Sequence, residues 1–146
     1  PIPISNSLTK VAQAHCYDLV VNKPDTPSRC NAHSWSDKGS WSSCCYTADH
    51  KQAKCMWNKP KEFSNYIGNG YEIAAGSSEP NTSDYKMSPE YALKLWKGSV
   101  HHNDVILNKS IWKDMKWNAI GVGMKDGIAT VWFGVETDPE GVPDTP

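Results

Sequence analysis

Four of the five cysteines, Cys30, Cys44, Cys45 and Cys55, fall within one stretch, "CNAHSWSDKGSWSSCCYTADHKQAKC". Thiols this dense in a loop-rich segment read as disulfides formed in an oxidising compartment. Cys44 and Cys45 are neighbours and cannot easily bond each other, so each is expected to pair with one of Cys30 and Cys55, in an order that the sequence leaves open. Cys16 lies away from the cluster in a predicted helix and is the expected odd thiol. The rival chemistry is a metal knot of Cys44, Cys45, His50 and Cys55. Its spacing does not match the paired C-x-x-C zinc patterns, and disulfides are the preferred reading. A second site of interest is Glu72, set in "GNGYEIAAGSS" between a glycine-rich turn and a run of small residues. A carboxylate within a strand needs a partner, because burying an unpaired charge is costly.

Familiar catalytic signatures are missing. There is no H-E-x-x-H and no nucleophile elbow, and the adjacency of His33 and Ser34 is not triad geometry. The formal net charge of -1, with scattered Lys and Arg, leaves no nucleic-acid footprint. No apolar run reaches the ~20 residues of a membrane helix. No signal peptide is visible, and the opening "PIPISNS" reads as a processed start. Sequons at Asn81 and Asn108 allow glycans only in a eukaryotic secretory protein. Seven Trp against two Phe is an unusual balance that suits half-wet clefts as well as cores. Trp35, Trp41 and Trp57 lie in the cysteine-rich stretch, where at least one is expected to be partly exposed; the rival reading is that all three pack over the disulfides as a small core of their own.

These residues must be positioned by a small set of elements. Leu8, Val11, Ala12, His15 and Leu19 share one helical face, with Ser7 as the expected N-cap and Pro24 as the stop. His15 on that face reads as a buried histidine bonded to backbone. Residues 22–66 read as irregular and anchored by cross-links. "GYEIAAG" is a short strand and "EPNTSDYKM" a surface loop. "SPEYALKLWKGS" is a helix with Ser88 as N-cap and Pro89 in its first turn, burying Ala92, Leu95, Trp96 and Leu93. "VHHNDVILNKSIWKDM" is helical at its start. "WNAIGVGMKDGIATVWFGV" is a hairpin turning at Asp126-Gly127, and about 137–146 is a flexible, Pro-rich tail. The chain of 146 residues reads as one α+β domain, 1–146, with a loop-rich insertion at about 30–66.

In that order, the segments resemble the CAP superfamily of cysteine-rich secretory, antigen 5 and pathogenesis-related proteins, the SCP-like extracellular domain. "VAQAHCYDL" looks like its opening helix and "CNAHSWSDKG" like the segment with its first site histidine. "GYEIAAGSS" is similar to its G-E-N-[IL]-A segment, and "ALKLWKGSVHHNDVIL" to its Trp helix and second histidine. "AIGVGMKDGIATVWFG" is similar to its closing hairpin, and "DPEG" to its D-P-x-G. The resemblance covers about 8–138. It implies a three-layer α-β-α sandwich and a cleft of His33, Glu72 and His102, with His101 in reserve. It also implies a divalent metal, zinc foremost, held by His33, His102 and Glu72. The second glutamate of many members is missing from "WKGS", and Ile73 replaces an Asn. The resemblance therefore implies a secreted binding, signalling or defence module. A metal-dependent hydrolase using Glu72, or a protein that binds a lipid, sterol or glycan, is the alternative.

Overall fold

The computed structural model describes residues 1–78 and 86–144. Its elements are α1 (Asn6–Asn22), α2 (Ala53–Phe63), β1 (Tyr71–Ala75), α3 (Pro89–Lys97), α4 (Val100–Leu107), a 3-10 turn at Ser110–Trp112, β2 (Ala119–Lys125) and β3 (Ile128–Gly134). The strands form one antiparallel sheet in the order β1-β3-β2. The fold is thus mixed helix and sheet, as the sequence implies.

The two faces of the central strand β3 go into different cores. Val131 and Phe133 join Ile73, Ala92, Trp96, Val105 and Trp117 on one side. Trp132 joins Leu8, Val11, Ala12, Trp35, Tyr46 and Met56 on the other. This is the strand period of two, with both faces covered, so β3 is buried at every position. Glu72 pairs in register with Trp132 and therefore shares the α1 side of the sheet.

Helix α1 sits on β2 with no side chains between them. A Cβ on Gly121 would lie 2.1 Å from the Leu8 backbone, and one on Gly123 2.4 Å from the Ala12 backbone. Both glycines permit a close approach that any larger residue would block. The expected apolar face of α1 is buried, His15 included. Its N-cap is Ser5 rather than Ser7. Ser5 has the extended backbone of a cap and accepts the Leu8 N–H at 2.9 Å. Ser7 falls inside the first turn, where its N–H and hydroxyl donate to Asp138 at 2.8 and 2.9 Å. Lys23 closes the helix in the left-handed region, at φ 54, directly before Pro24.

Three expectations need correction. The stretch read as irregular contains α2, which has no side-chain N-cap and carries Pro60 within it. Those features hide a helix from propensity, and here tertiary anchoring of Cys55, Met56 and Lys59 holds it. In α3, Ala92 and Trp96 are buried, but Leu93 and Leu95 face outward, 47% and 41% exposed. Nine residues of helix leave one narrow stripe toward the sheet, and the i, i+4 pair fills it. The tail is not free at its start. Asp138 is buried against α1, and the Asn6 N–H donates to the Gly141 carbonyl at 2.8 Å. Pro and Gly suggested a flexible end, yet orphan donors at the start of α1 need acceptors, and the segment supplies them.

The Ser88 cap, Pro89 in the first turn, the helical start at Val100 and the hairpin are all present. Asp126 turns the hairpin at φ 50. Asn81 and most of the expected surface loop lie outside the described residues, whereas Met87 at the loop's end is buried in the core. Asn108 is the left-handed C-cap of α4, with its amide donating to the Trp112 carbonyl at 3.4 Å.

Candidate functional site: a histidine-lined cavity with a buried carboxylate

The disulfides are Cys30–Cys45 and Cys44–Cys55, and Cys16 is a free, buried thiol. This is one of the two expected pairings. It rules out the metal knot, because Cys44, Cys45 and Cys55 are all engaged. The free thiol of Cys16 is pushed up to about 12 by burial, so it stays protonated and unreactive.

The cross-linked loop holds His33 in place. Asn31 accepts the His33 N–H on its side chain at 3.0 Å, and the Asn31 N–H donates to the Tyr46 carbonyl at 2.9 Å. From there His33 Nδ1 reaches Glu72 Oε1 at 2.7 Å. The other carboxylate oxygen, Oε2, is taken by Nδ1 of His15, projecting from α1. The far nitrogen of His15, Nε2, donates to the Ser34 carbonyl at 2.9 Å. His15 is therefore bonded to backbone, as its position on α1 suggested, and is also the partner that Glu72 requires.

Both nitrogens of His15 face oxygen atoms, Nδ1 the Glu72 carboxylate and Nε2 the Ser34 carbonyl. The ring stacks on Trp35 with centroids 4.0 Å apart and planes within 7°. Burial alone would raise the pKa of Glu72, but the charge and hydrogen bonds of His15, followed by those of His33, hold it below the ordinary carboxylate value. His33 meets the carboxylate through Nδ1 and also lines the cavity.

That cavity has a volume of about 510 Å³ and is lined by His33, Glu72, His101 and His102, among others. The three residues implied by the resemblance therefore meet at one hollow, with His101 at its edge. His102 is half-buried, and its basicity is lowered by burial and by the nearby His33 and His101. It is thus held neutral near pH 7, the form in which imidazole binds a metal. The cavity is also aromatic. Trp57, Tyr71 and Trp112 line it, with Tyr71 and Trp112 edge to face at 5.3 Å. The cysteine-rich loop adds Tyr46, whose phenol oxygen is hydrogen-bonded with His50 Nδ1 at 3.0 Å. Of the three loop tryptophans, Trp35 is buried, while Trp41 and Trp57 are partly exposed and pack around it and the disulfide Cys44–Cys55.

A metal bound to Glu72 itself does not fit this arrangement. Both carboxylate oxygens are engaged, and among the described residues no three His, Cys, Asp or Glu side chains are grouped to hold an ion. The imidazoles of His33 and His102 on one cavity do fit as a partial donor set. Glu72 then acts from behind His33, in the way carboxylates commonly orient metal-ligating histidines.

No family model, curated protein or solved structure matches the chain. No helix among the described residues is long and apolar enough to cross a membrane.

Proposed function

We propose that the chain is a secreted CAP-like domain, in the α-β-α layering of that superfamily, whose cavity binds a small ligand rather than turning one over. His33 and His102 hold a divalent metal, zinc foremost, and Glu72 fixes the tautomer of His33 from behind. The observation that carries this reading is the meeting of His33, Glu72 and His102, from three remote parts of the chain, at one cavity. Two disulfides suit an extracellular setting. When bound, the metal would supply a Lewis-acidic point for a polar ligand group. The aromatic wall of Trp57, Tyr71 and Trp112 would take the flat apolar face of a sterol, lipid or sugar.

Binding is favoured over hydrolysis because Glu72 is unsuited to be a general base. Each of its oxygens meets a histidine nitrogen, and these contacts hold its acidity above that of an ordinary carboxylic acid, which makes it a weak base. Zinc titration of the wild type, His33→Ala and His102→Ala tests the reading. Loss of binding by at least tenfold in each variant is expected, since each removes one of two protein ligands. Unchanged binding in both would remove the metal from the account. Tryptophan quenching with sterol and glycan panels identifies the ligand class. Chelator-sensitive turnover that disappears in Glu72→Ala would instead establish the hydrolase.

A further inference from the structure

The mechanism of the cavity makes no use of Lys59, although this lysine is wholly buried. Its Nζ lies 3.3 Å from Cys55 Sγ, 3.1 Å from Glu62 and 5.6 Å from the centroid of the Trp35 ring. Burial works against the ammonium, and the hydrogen bond and charge of Glu62 only partly offset this. A cation in this position would gain from a second anion, and the nearest atom able to become one is Cys55 Sγ. Cys55 is also in the first turn of α2, where the helix dipole favours negative charge. Its disulfide partner is placed differently. Cys44 lines a surface concavity of about 430 Å³ that Cys30 and Cys45 also line and Cys55 does not, so the proximity of Lys59, rather than access alone, sets this bond apart from Cys30–Cys45.

We infer that Cys44–Cys55 is a polarised, reducible disulfide, with Cys44 the sulfur that is attacked and Cys55 the thiolate that leaves, stabilised by Lys59. The reductant is a small thiol such as glutathione. Its thiolate attacks Cys44 Sγ from the concavity and a new S–S bond forms there. The Cys44–Cys55 bond breaks, and Cys55 departs with the electron pair. A second thiol then attacks the mixed disulfide, releasing Cys44 and leaving the reagent oxidised as its own disulfide. Cys30–Cys45 has no comparable cation: among the hydrogen bonds and ion pairs of the described residues, Lys59 contacts Cys55 alone of the four bonded cysteines. It should open later.

The bond also has a structural consequence. It joins the strand-like segment just before Tyr46 to the start of α2, just before Met56 and Trp57, and all three residues wall the cavity. Opening it releases one wall from the other without cutting the Cys30–Cys45 link.

The test equilibrates the wild type in glutathione redox buffers, alkylates free thiols and maps them by mass spectrometry. Cys44–Cys55 is expected to open first, with glutathione found on Cys44, and hydrogen exchange across α2 is expected to rise with its opening. In Lys59→Met the equilibrium constant for reduction should fall about tenfold, while Lys59→Arg, which keeps the charge, should stay near the wild type. Opening of Cys30–Cys45 first, glutathione on Cys55, or an unchanged constant in folded Lys59→Met would overturn the inference. Should Lys59→Met fail to fold, the order of opening and the site of the adduct in the wild type still decide it.

Discussion

Glu72 is the residue on which the site turns, and its surroundings explain why a carboxylate interrupts a strand of small and apolar residues. It joins α1, through His15, to the cysteine-rich loop, through His33. Removing one partner of a buried charged pair leaves the other uncompensated, so Glu72→Ala should cost ~3–5 kcal/mol of stability. Urea unfolding measures this, and a loss below about 1 kcal/mol, as for an exposed pair, would contradict the pairing described. Glu72 was legible in the sequence as a charge in need of a partner, and His33 and His102 only through resemblance to a family. His15 was visible as a buried histidine, but its role with Glu72 was not. The two residues are 57 positions apart on different elements, and no local spacing relates them. The signal that could have joined them was their shared oddity: two polar groups, each on an otherwise buried face.

At the scale of elements, two docking contacts fix α1 over the sheet. One is the bare approach of its backbone to β2. Gly121→Ala should force the helix away and cost more than about 2 kcal/mol, because the obstacle is backbone and cannot rotate aside. A thermal melt unchanged from the wild type would contradict that packing. The other is Asp138 at the start of α1. Burial would raise its pKa, but hydrogen bonds from the Ser5 hydroxyl, the Ser7 and Glu140 backbone and the Ser7 hydroxyl hold it below the ordinary value of 3.8. A group whose value is depressed on folding adds stability above its unfolded value and loses it as pH falls through the folded one. Asp138 should thus stabilise the protein fully above about pH 5 and progressively less below pH 4. Asp138→Asn should lose ~1–3 kcal/mol at pH 7 and flatten this part of the acid limb in pH-dependent unfolding. An identical acid limb in the variant would place the effect elsewhere. The hairpin and the Ser88 cap were readable here because turn and capping chemistry is local, whereas the cap of α1 falls at Ser5 instead of the expected Ser7. Helix α2 was not, because its support comes from a disulfide and a buried lysine rather than from its own propensity.

Over the whole molecule, one cavity collects residues from the loop after α1, the start of α2, β1, α4 and the 3-10 turn. The mixed α+β class was legible from the alternation of periodicities. The layering around the sheet was legible only in outline. Which residues face each core depends on the register of β1 on β3, and register is a long-range property. The disulfides matter at this scale as well. They close loops of 15 and 11 residues within a segment poor in regular structure, and each should contribute ~2–4 kcal/mol by restricting the unfolded chain. Cys30→Ala/Cys45→Ala should therefore lower the melting temperature clearly, and a melt within about a degree of the wild type would show that the loop is held by packing alone.

The histidines divide their labour: His15 is bonded to Glu72 and Ser34, whereas His33 and His102 line the cavity. Nitrogen-detected NMR of the imidazole rings during zinc titration reads each ring directly. The expected result is a shift of a ring-nitrogen signal of His33 and of His102, with both His15 nitrogen signals unmoved. A zinc-induced shift of a His15 ring nitrogen, or zinc shifts confined to other residues, would contradict the proposed site.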